Sequence, residues 1–405
     1  MSKATPSELA IFNSNAQFAS VKPIGQLSVP NPERFYELLR DVRRTATFSG
    51  NGPMIERLES ELCALHDVRH TIVFSNASIA IVALTHLLAE GKAGEVIMPA
   101  FTYSGLPHLV RWAGQMPRFA DVEPTTHAIS ARTTEELINS RTTAILAVHQ
   151  VNAPADIPGL TELSRRKGVP LFFDSVHGLY NTWQGKPIGS FGRAEVFSLH
   201  ATKMLNGFEG GYVTTQDDRL DQQLRIVRNS GRDSSGIVQG LGIGGNLSEI
   251  HAAFVLAGIA DLPDACARNQ ARYEAYRHGL STVPELKVFE YPDGPDRLNY
   301  EFTLIEVDNG LPLTRDDLLE ILVAENTRTR AYYSPPVHLS SHMPSGMDVP
   351  TLPVTESLAK KYLQMPMGEL VSLEDIQQIC SILKMTIENS EEIASMLRFR
   401  REVQP

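Results

Sequence analysis

The sequence has few cysteines, and they lack the spacing that a disulfide framework or a zinc site requires. Cys63, Cys266 and Cys380 are the three cysteines in 405 residues. An odd and widely spaced set predicts neither kind of site. The chain also lacks the CxxC, HExxH and GxxxxGK[ST] patterns, and its glycine-rich segment 240–245 does not follow a predicted strand, as a dinucleotide-binding fingerprint would. Redox, metalloprotease, dinucleotide-binding and P-loop functions therefore have no support in the sequence, and we expect no metal.

The chain also lacks an excess of positive charge and a long apolar run. Its 37 Lys and Arg against 47 Asp and Glu give a formal net charge of −10, which argues against a nucleic-acid partner. The longest apolar region, 77–88, is interrupted by Ser78, Thr85 and His86, so we expect no membrane partner. The first residues, MSKATPSELAIF, do not follow a signal-peptide pattern. We expect a cytoplasmic enzyme.

The residues that are present favour a globular protein with two domains. Hydrophobic residues make up 42% and charged residues 21% of the chain, an ordinary balance for a folded protein, and the length suggests two domains. Short apolar runs alternate with helical stretches, which predicts an α/β fold with a mostly parallel sheet. The predicted strands are 70–74, 95–98, 144–148, 170–173, 195–199 and 212–215.

The pattern changes after residue 245, and this change predicts a second domain. Residues 247–280 are largely helical, with an interruption near Pro263. Two strand-like runs and two further helices follow, which favours a smaller α+β domain; they are 286–291, 299–307, 315–325 and 373–387. We therefore expect an N-terminal arm lying on the surface (1–30), a large domain (31–265) and a small C-terminal domain (266–405).

Ligands of an open α/β sheet bind at the carboxyl ends of its strands. Ser75-Asn76-Ala77-Ser78 follows the first strand and directly precedes a helix. Such a segment binds an anion through backbone N–H groups at the positive helix terminus, or it is an ordinary helix cap. Tyr103 follows the second strand. This aromatic residue either covers a planar ligand or packs in the core.

Two charged residues follow later strands. Asp174 ends a buried apolar run, where a carboxylate caps a helix, binds a metal or faces a cationic ligand. Lys203 lies 29 residues further on, in a loop of small residues. A lysine there is either a solvated surface group or a Schiff-base lysine with a lowered pKa. An anion site, an aromatic residue, an acid and a lysine in this order fit pyridoxal 5'-phosphate (PLP).

Several segments resemble the sugar aminotransferases of the DegT/StrS type. FSLHATKMLNGFEGGYV (197–213) resembles their lysine segment, FFDSVHG (172–178) their aspartate segment, and VFSNASIA (73–80) their phosphate-binding turn. Further matches occur in the same order as in the family: FSGNGPMIERLESEL (48–62), GEVIMPAFTYSG (94–105), RFADVEPTTHAI (118–129) and RTTAILAVHQ (141–150). The resemblance covers roughly residues 20–385. It implies a fold-type I, aspartate aminotransferase-like PLP-dependent transferase that forms a homodimer with shared active sites.

The resemblance also implies roles for individual residues. Lys203 is expected to form the Schiff base with PLP and to carry the proton during transfer. Asp174 is expected to pair with the pyridine nitrogen, and His177 to approach the ring hydroxyl. The remaining cofactor contacts implied are ring stacking by Tyr103 and phosphate binding by Ala77, Ser78 and Ser198. The implied reaction is ping-pong transfer of an amino group from an amino acid such as L-glutamate to a nucleotide-linked 4-keto-6-deoxyhexose, in antibiotic or surface-glycan biosynthesis.

The sequence departs from the family pattern in the loop 242–249, and also in 149–154 and at Ser175 and Val176. Gly244 stands where relatives carry an asparagine that reaches the partner's cofactor phosphate, and Asn246 replaces a basic residue. Either this phosphate contact is lost, or Asn246 supplies it from a shifted position. Glu209 and His338, the last residue of YYSPPVH (332–338), are candidate substrate-binding residues.

Two alternatives to amino transfer to a sugar remain open at the level of sequence. The altered loop is compatible with a PLP enzyme that catalyses elimination, substitution or C–C bond formation on another small substrate. A non-catalytic binding protein on a degenerate fold is a further alternative, which the intact Lys203 and Asp174 disfavour. The sequence does not fix the acceptor, the carbon that is aminated or the amino donor.

Overall fold

A computed structural model of the protein describes residues 3–12, 14–340 and 349–403. Its α-helices are α1 Pro32–Thr45, α2 Pro53–His66, α3 Ala77–Leu88, α4 Leu106–Trp112, α5 Ala131–Thr134, α6 Ile157–Lys167, α7 Asp218–Arg228, α8 Glu249–Ile259, α9 Leu262–Leu280, α10 Arg315–Ala324, α11 Pro353–Leu358, α12 Leu373–Glu388 and α13 Ser390–Val403. Its strands are β1 His70–Phe74, β2 Glu95–Pro99, β3 Met116–Ala120, β4 Thr142–Val148, β5 Leu171–Asp174, β6 Thr182–Trp183, β7 Lys186–Pro187, β8 Ala194–Ser198, β9 Gly211–Thr215, β10 Leu286–Val288, β11 Leu304–Val307, β12 Arg330–Ala331 and β13 Tyr362–Gln364.

The first half of the chain builds a seven-stranded sheet in the order β1-β9-β8-β5-β4-β2-β3. β9 is antiparallel to both of its neighbours, whereas β8, β5, β4, β2 and β3 pair in parallel. The central strands are buried on both faces, which is why they appear in the sequence as continuous apolar runs. The predicted α/β fold with a mostly parallel sheet is confirmed.

The second half builds an antiparallel four-stranded sheet in the order β10-β11-β13-β12. Its apolar core includes residues of the long helices α9 and α12, which pack against each other. α8 and α9 meet at a bend of 67°, and the predicted boundary between residues 265 and 266 falls inside α9. The division at 30/31 and 265/266 stays a prediction.

No single described helix is long and apolar enough to cross a membrane. The bent pair α8 and α9, taken together, reaches the length and apolar composition of a membrane span. Most apolar residues of α8 are buried in the protein core.

The expectation of an N-terminal arm lying on the surface is wrong for part of the arm. Leu9, Ile11 and Phe18 are buried in the core of the second sheet. The carboxylate of Glu325, just after α10, accepts hydrogen bonds from the backbone N–H groups of Ala10 at 2.7 Å and Gln17 at 2.6 Å. The arm's few apolar residues lie among polar ones without a helical or strand period, so the sequence pattern did not indicate their burial.

Several elements were not predicted, among them β3, β13 and α13, and two strands are shorter than predicted. β3 contains Pro117, and proline disfavours a strand unless the strand lies at the edge of its sheet, as β3 does. The C-terminal helix α13 was also missed. β10 and β11 cover only 286–288 and 304–307 of the predicted strands 286–291 and 299–307.

Candidate active site

The carboxyl ends of the parallel strands form one edge of the large sheet, and the predicted site residues lie along it. Asp174 is the last residue of β5, and Ser198 is the last residue of β8. Gly211, the first residue of the antiparallel β9, pairs with both Phe74 at the end of β1 and Ser198. The edge therefore brings together segments more than 100 residues apart in the chain.

The N-terminus of α3 presents unsatisfied backbone donors at this edge. Asn76 caps the helix, with its Oδ1 accepting from the N–H of Ile79 at 2.8 Å. Within the described part of the chain, the N–H groups of Ala77 and Ser78 donate to no acceptor. A Cβ on Gly211 would lie 2.3 Å from the Ala77 nitrogen, so only glycine allows β9 to start this close to the helix. An exposed helix terminus of this kind binds an anion such as a phosphate.

Asp174 is a buried carboxylate without a positively charged partner in direct contact. Its Oδ1 accepts one hydrogen bond, from the N–H of Val176 at 3.2 Å, and no ion pair within 4.0 Å joins it to any described residue. Burial raises the pKa of Asp174, while the nearby charges of His177 and Lys203 act to lower it. Burying a carboxylate costs free energy unless a cation compensates, so the residue is suited to pair with a cationic ligand.

Lys203 lies in the turn after β8, where its backbone N–H donates to the His200 carbonyl at 2.8 Å. Its Nζ lies 5.4 Å from the ring centroid of Phe302, and its side chain forms no ion pair with a described residue. Burial lowers the pKa of Lys203, partly offset by the charges of Glu301 and Asp174. A lowered pKa increases the fraction of neutral amine, which is the nucleophilic form.

His177 connects the large domain with the second sheet. Its Nδ1 lies 3.1 Å from Glu301 Oε2, and its Nε2 lies 3.4 Å from the Tyr333 hydroxyl. The imidazole also meets the ring of Phe302 edge-on at 5.4 Å between centroids. Burial and the charge of Lys203 lower the pKa of His177. Sequence analysis missed Glu301, Phe302 and Tyr333 as site residues.

The two aromatic residues after β2 differ in their surroundings. Tyr103 is 59% exposed, and its ring packs against the backbone of Gly105. Phe101 is buried and contacts the rings of Tyr332 and Tyr333 edge-on at 5.3 and 5.2 Å. Tyr103 therefore lies on the open side of the edge, and its stacking on a ligand ring stays a prediction.

Ser198 and Asn246 lie near the N-terminus of α3. Ser198 Oγ accepts from the His200 N–H at 3.2 Å. The residue before Asn246, Gly245, accepts a hydrogen bond from the Ser75 N–H at 2.7 Å. The Asn246 Oδ1 is buried and has no partner among the described residues. Its Nδ2, the group able to donate to a phosphate, donates to Asn229 Oδ1 at 3.5 Å, and the role of Asn246 as a phosphate ligand stays a prediction.

The two candidate substrate residues are not brought into contact with Lys203, Asp174 or His177. Glu209 is exposed, with Oε1 3.9 Å from His200 Nε2. His338 is 1% exposed, and its Nε2 lies 3.4 Å from Glu356 Oε1. These surroundings favour a structural role for His338, and both substrate-binding roles stay predictions.

The chemistry of these groups fits PLP. The free N–H groups of Ala77 and Ser78 suit its phosphate, the unpaired carboxylate of Asp174 suits the protonated ring nitrogen, and the amine of Lys203 suits the aldehyde. The fit rests on a buried carboxylate and a partly buried lysine, both without an ion-pair partner among the described residues, and on an anion site at the same sheet edge.

Comparisons with known proteins agree with this assignment. The model of the DegT/DnrJ/EryC1/StrS aminotransferase family matches residues 31–384. A dTDP-4-amino-4,6-dideoxy-D-glucose transaminase from Escherichia coli is 28% identical over 368 residues, covering 89% of this chain and 97% of that protein. A UDP-N-acetyl-3-dehydro-alpha-D-glucosamine 3-aminotransferase from Acidithiobacillus ferrooxidans is 30% identical over 334 residues, covering 82% of this chain and 88% of that protein. The crystal structure of DesI with its TDP-sugar product superposes with a TM-score of 0.90 at 33% identity, covering 97% of this chain and 99% of DesI.

Proposed function

Because the chain belongs to the DegT/DnrJ/EryC1/StrS aminotransferase family, we propose that it transfers an amino group from an amino acid, L-glutamate first among the candidates, to a nucleotide-linked 4-keto-6-deoxyhexose. The chain is a PLP-dependent aminotransferase of fold type I. The sugar is proposed from the relatives: the E. coli protein is named for a dTDP-linked 4-amino sugar, and DesI was crystallised with its TDP-sugar product.

The observation that carries this proposal is a pair of charged side chains without an ion-pair partner among the described residues, the buried Asp174 and the partly buried Lys203. PLP, when bound, supplies an aldehyde that condenses with amines and a ring that accepts electrons from the substrate carbon. Lys203 would hold the aldehyde, and its neutral amine, once released, would take the proton from the substrate carbon and return it on the cofactor side. Asp174 would keep the ring nitrogen protonated, and His177 would hydrogen-bond the ring hydroxyl.

The phosphate is proposed to bind at the N-terminus of α3. The donors are the N–H groups of Ala77 and Ser78 and the hydroxyls of Ser78 and Ser198. Gly211 supports this proposal, because its missing side chain leaves the helix terminus accessible. Tyr103 is proposed to cover the cofactor ring from the open side, for which its exposure leaves room.

We also propose that the active enzyme is a homodimer. Residues 229–246 form a loop that carries three exposed apolar side chains, Ile237, Val238 and Leu241. Asp233 stabilises this loop by accepting hydrogen bonds from the N–H groups of Ser235 and Ile237. An ordered loop with exposed apolar side chains is typical of an interface. A cytoplasmic location and a role in antibiotic or surface-glycan biosynthesis stay predictions.

The direct test is product formation by the PLP-loaded enzyme. Incubation with L-glutamate and dTDP-4-keto-6-deoxy-D-glucose is expected to give a dTDP-amino sugar and 2-oxoglutarate in equal amounts, measured by mass spectrometry. Lys203→Ala is expected to lower the rate by a factor of about 10² to 10⁴ or more. The UDP-linked 3-keto sugar serves as the competing acceptor. Its exclusive conversion would contradict the proposed substrate, and release of keto acid without an amino sugar would favour non-transamination chemistry.

A further inference from the structure

A buried carboxylate from the second domain contacts the site. Glu301 lies three residues before β11 and is 2% exposed. Its Oε2 lies 3.1 Å from Nδ1 of His177, 124 residues earlier in the chain. A buried carboxylate needs hydrogen bonds and a compensating positive charge. The groups that supply them here are those proposed to hold the cofactor.

The position of Glu301 relative to His177 is fixed by one buried side-chain amide. Asn299 Oδ1 accepts from the Glu301 N–H at 3.0 Å. Asn299 Nδ2 donates to the carbonyls of His177 at 3.0 Å and Leu179 at 2.8 Å. Because the same amide holds both backbones, the carboxylate and the imidazole face each other without the need for rearrangement on binding.

A second buried amide ties Glu301 to the turn that carries Lys203. Gln26 Nε2 donates to the Glu301 carbonyl at 2.7 Å. The backbone N–H of Gln26 donates to the carbonyl of Thr202 at 2.9 Å, and Thr202 directly precedes Lys203. Gln26 of the N-terminal arm therefore fixes the position of Glu301 relative to the turn that carries Lys203.

The segment that carries Glu301 also lies beside Lys203, because the ring centroid of Phe302, the next residue in the chain, is 5.4 Å from Lys203 Nζ. The negative charge of Glu301 acts to raise the pKa of five groups: Lys203, His177, Tyr333, Tyr291 and Cys266. Around Lys203, the other charges are Asp174 and, with the opposite effect, Arg330 of β12. The carboxylate favours the protonated form of every one of these groups. For Lys203 and His177, the protonated form is the charged one.

We propose that Glu301 is a positioning residue that holds a proton on Nδ1 of His177 and favours the charged form of the Lys203 nitrogen. The proposal rests on the proposed function, since it assigns the protonation state of groups that hold PLP. With Nδ1 protonated and directed at Glu301, Nε2 is the nitrogen available to other partners, and the Tyr333 hydroxyl already lies near it. Glu301 thus sets the pH range in which the lysine and the imidazole keep their protons.

The test compares Glu301→Gln with the parent protein, both loaded with PLP. The visible band of the bound cofactor is followed against pH, and its midpoint reports loss of the proton at the lysine nitrogen. Glu301→Gln removes the charge but keeps the shape, so its midpoint is expected to fall by about 1 pH unit. Glu306→Gln is the matched control: Glu306 lies on β11, interacts with Lys361 at 3.5 Å, and is expected to leave the midpoint unchanged.

A second readout follows His177 directly. In protein labelled with [15N]histidine, the His177 resonances, identified by their loss in His177→Asn, are expected to titrate at lower pH in Glu301→Gln. Glu301→Asp keeps the charge on a shorter side chain, and its midpoints are expected to lie between those of the parent and Glu301→Gln. If Glu301→Gln fails to fold, the comparison of Glu301→Asp with the parent decides.

Unchanged midpoints in both readouts would overturn the proposal for Glu301 while leaving the cofactor band intact. Failure of the parent protein to bind PLP would instead overturn the proposed function. A Glu301→Asp midpoint as low as that of Glu301→Gln would also contradict the proposal, because geometry alone would then explain the change.

Discussion

At the residue scale, burial shifts the pKa values of the site's two charged groups in opposite directions. Burial raises the pKa of Asp174 and lowers that of Lys203, because a low-dielectric environment disfavours the charged form of each. A ligand that brings a cation to Asp174 and an aldehyde to Lys203 relieves both costs. The two side chains are therefore suited to bind PLP rather than to form an ion pair with each other.

Replacement of Asp174 tests its proposed pairing with the ring nitrogen. Asp174→Asn keeps the shape but removes the charge that holds the ring nitrogen protonated, so kcat is expected to fall by a factor of about 10² or more. Steady-state kinetics with L-glutamate and the keto sugar measure this effect. Asp308→Asn, in an exposed turn of the second domain, is the control. Equal kcat values for Asp174→Asn and the parent would contradict the assigned role.

His127 predicts a pH dependence of stability away from the active site. It is buried, both ring nitrogens lack a partner among the described residues, and it stacks on Phe289 at 4.3 Å between centroids. Burial lowers the pKa of His127 to about 4 from its ordinary 6.5. The unfolded chain therefore binds more protons between these two pH values, and stability falls as the pH drops from 6.5 towards 4.

When the pH falls from 7.5 to 5.0, the buried His127 is expected to lower the free energy of unfolding by about 2 kcal/mol. Urea unfolding of the parent and His127→Asn at both pH values measures the difference, and the variant should lose about 2 kcal/mol less than the parent. The exposed His278→Asn should lose as much as the parent. An identical pH dependence in His127→Asn and the parent would show that His127 does not carry the effect.

At the element scale, the sequence predicted the strands that define the sheet edge, since each is a short apolar run followed by small or polar residues. The position of β1 was predicted at 70–74, as observed. The burial of the arm and the contacts of Gln26 and Glu301 could not be predicted, because they join segments 275 residues apart. Local periodicity carries no information on such pairings.

Gly211 tests the proposed phosphate site between β9 and α3. A Cβ at this position would lie 2.3 Å from the Ala77 nitrogen, so Gly211→Ala must displace the helix terminus. Such overpacking costs about 1–3 kcal/mol, and the Kd for PLP is expected to rise about tenfold or more. Gly310→Ala, where a Cβ would meet only Asp308 Oδ1 at 3.4 Å, an ordinary contact, is the control. Unchanged PLP affinity, measured by fluorescence titration, would contradict the phosphate site.

At the scale of the whole molecule, the fold class and the order of the site residues were predictable, because strand ends converge in any open parallel sheet. The contribution of the second domain to the site could not be predicted. Glu301, Phe302 and Tyr333 reach His177 or Lys203 only through tertiary contacts between segments far apart in the chain. Sequence motifs identified the half of the site that comes from the large domain.

The exposed apolar side chains of the loop 229–246 indicate a dimer. Leu241 is 71% exposed, and a charge introduced there is expected to weaken a dimer while leaving the fold intact. Sedimentation analysis of Leu241→Asp is expected to show monomers at concentrations where the parent is dimeric. Val323→Asp changes an exposed valine on α10 and should remain dimeric. A monomeric parent, or a Leu241→Asp variant as dimeric as the parent, would contradict the proposed interface.

Lys203 is proposed to hold PLP in an enzyme that accepts an amino group from an amino acid. The most direct measurement is the visible absorption spectrum of the PLP-loaded protein, before and after L-glutamate is added and again after the keto sugar. We expect a yellow band that L-glutamate bleaches and the keto sugar restores, and we expect Lys203→Ala not to show this cycle. A band that no amino donor bleaches, or a cycle that survives in Lys203→Ala, would contradict it.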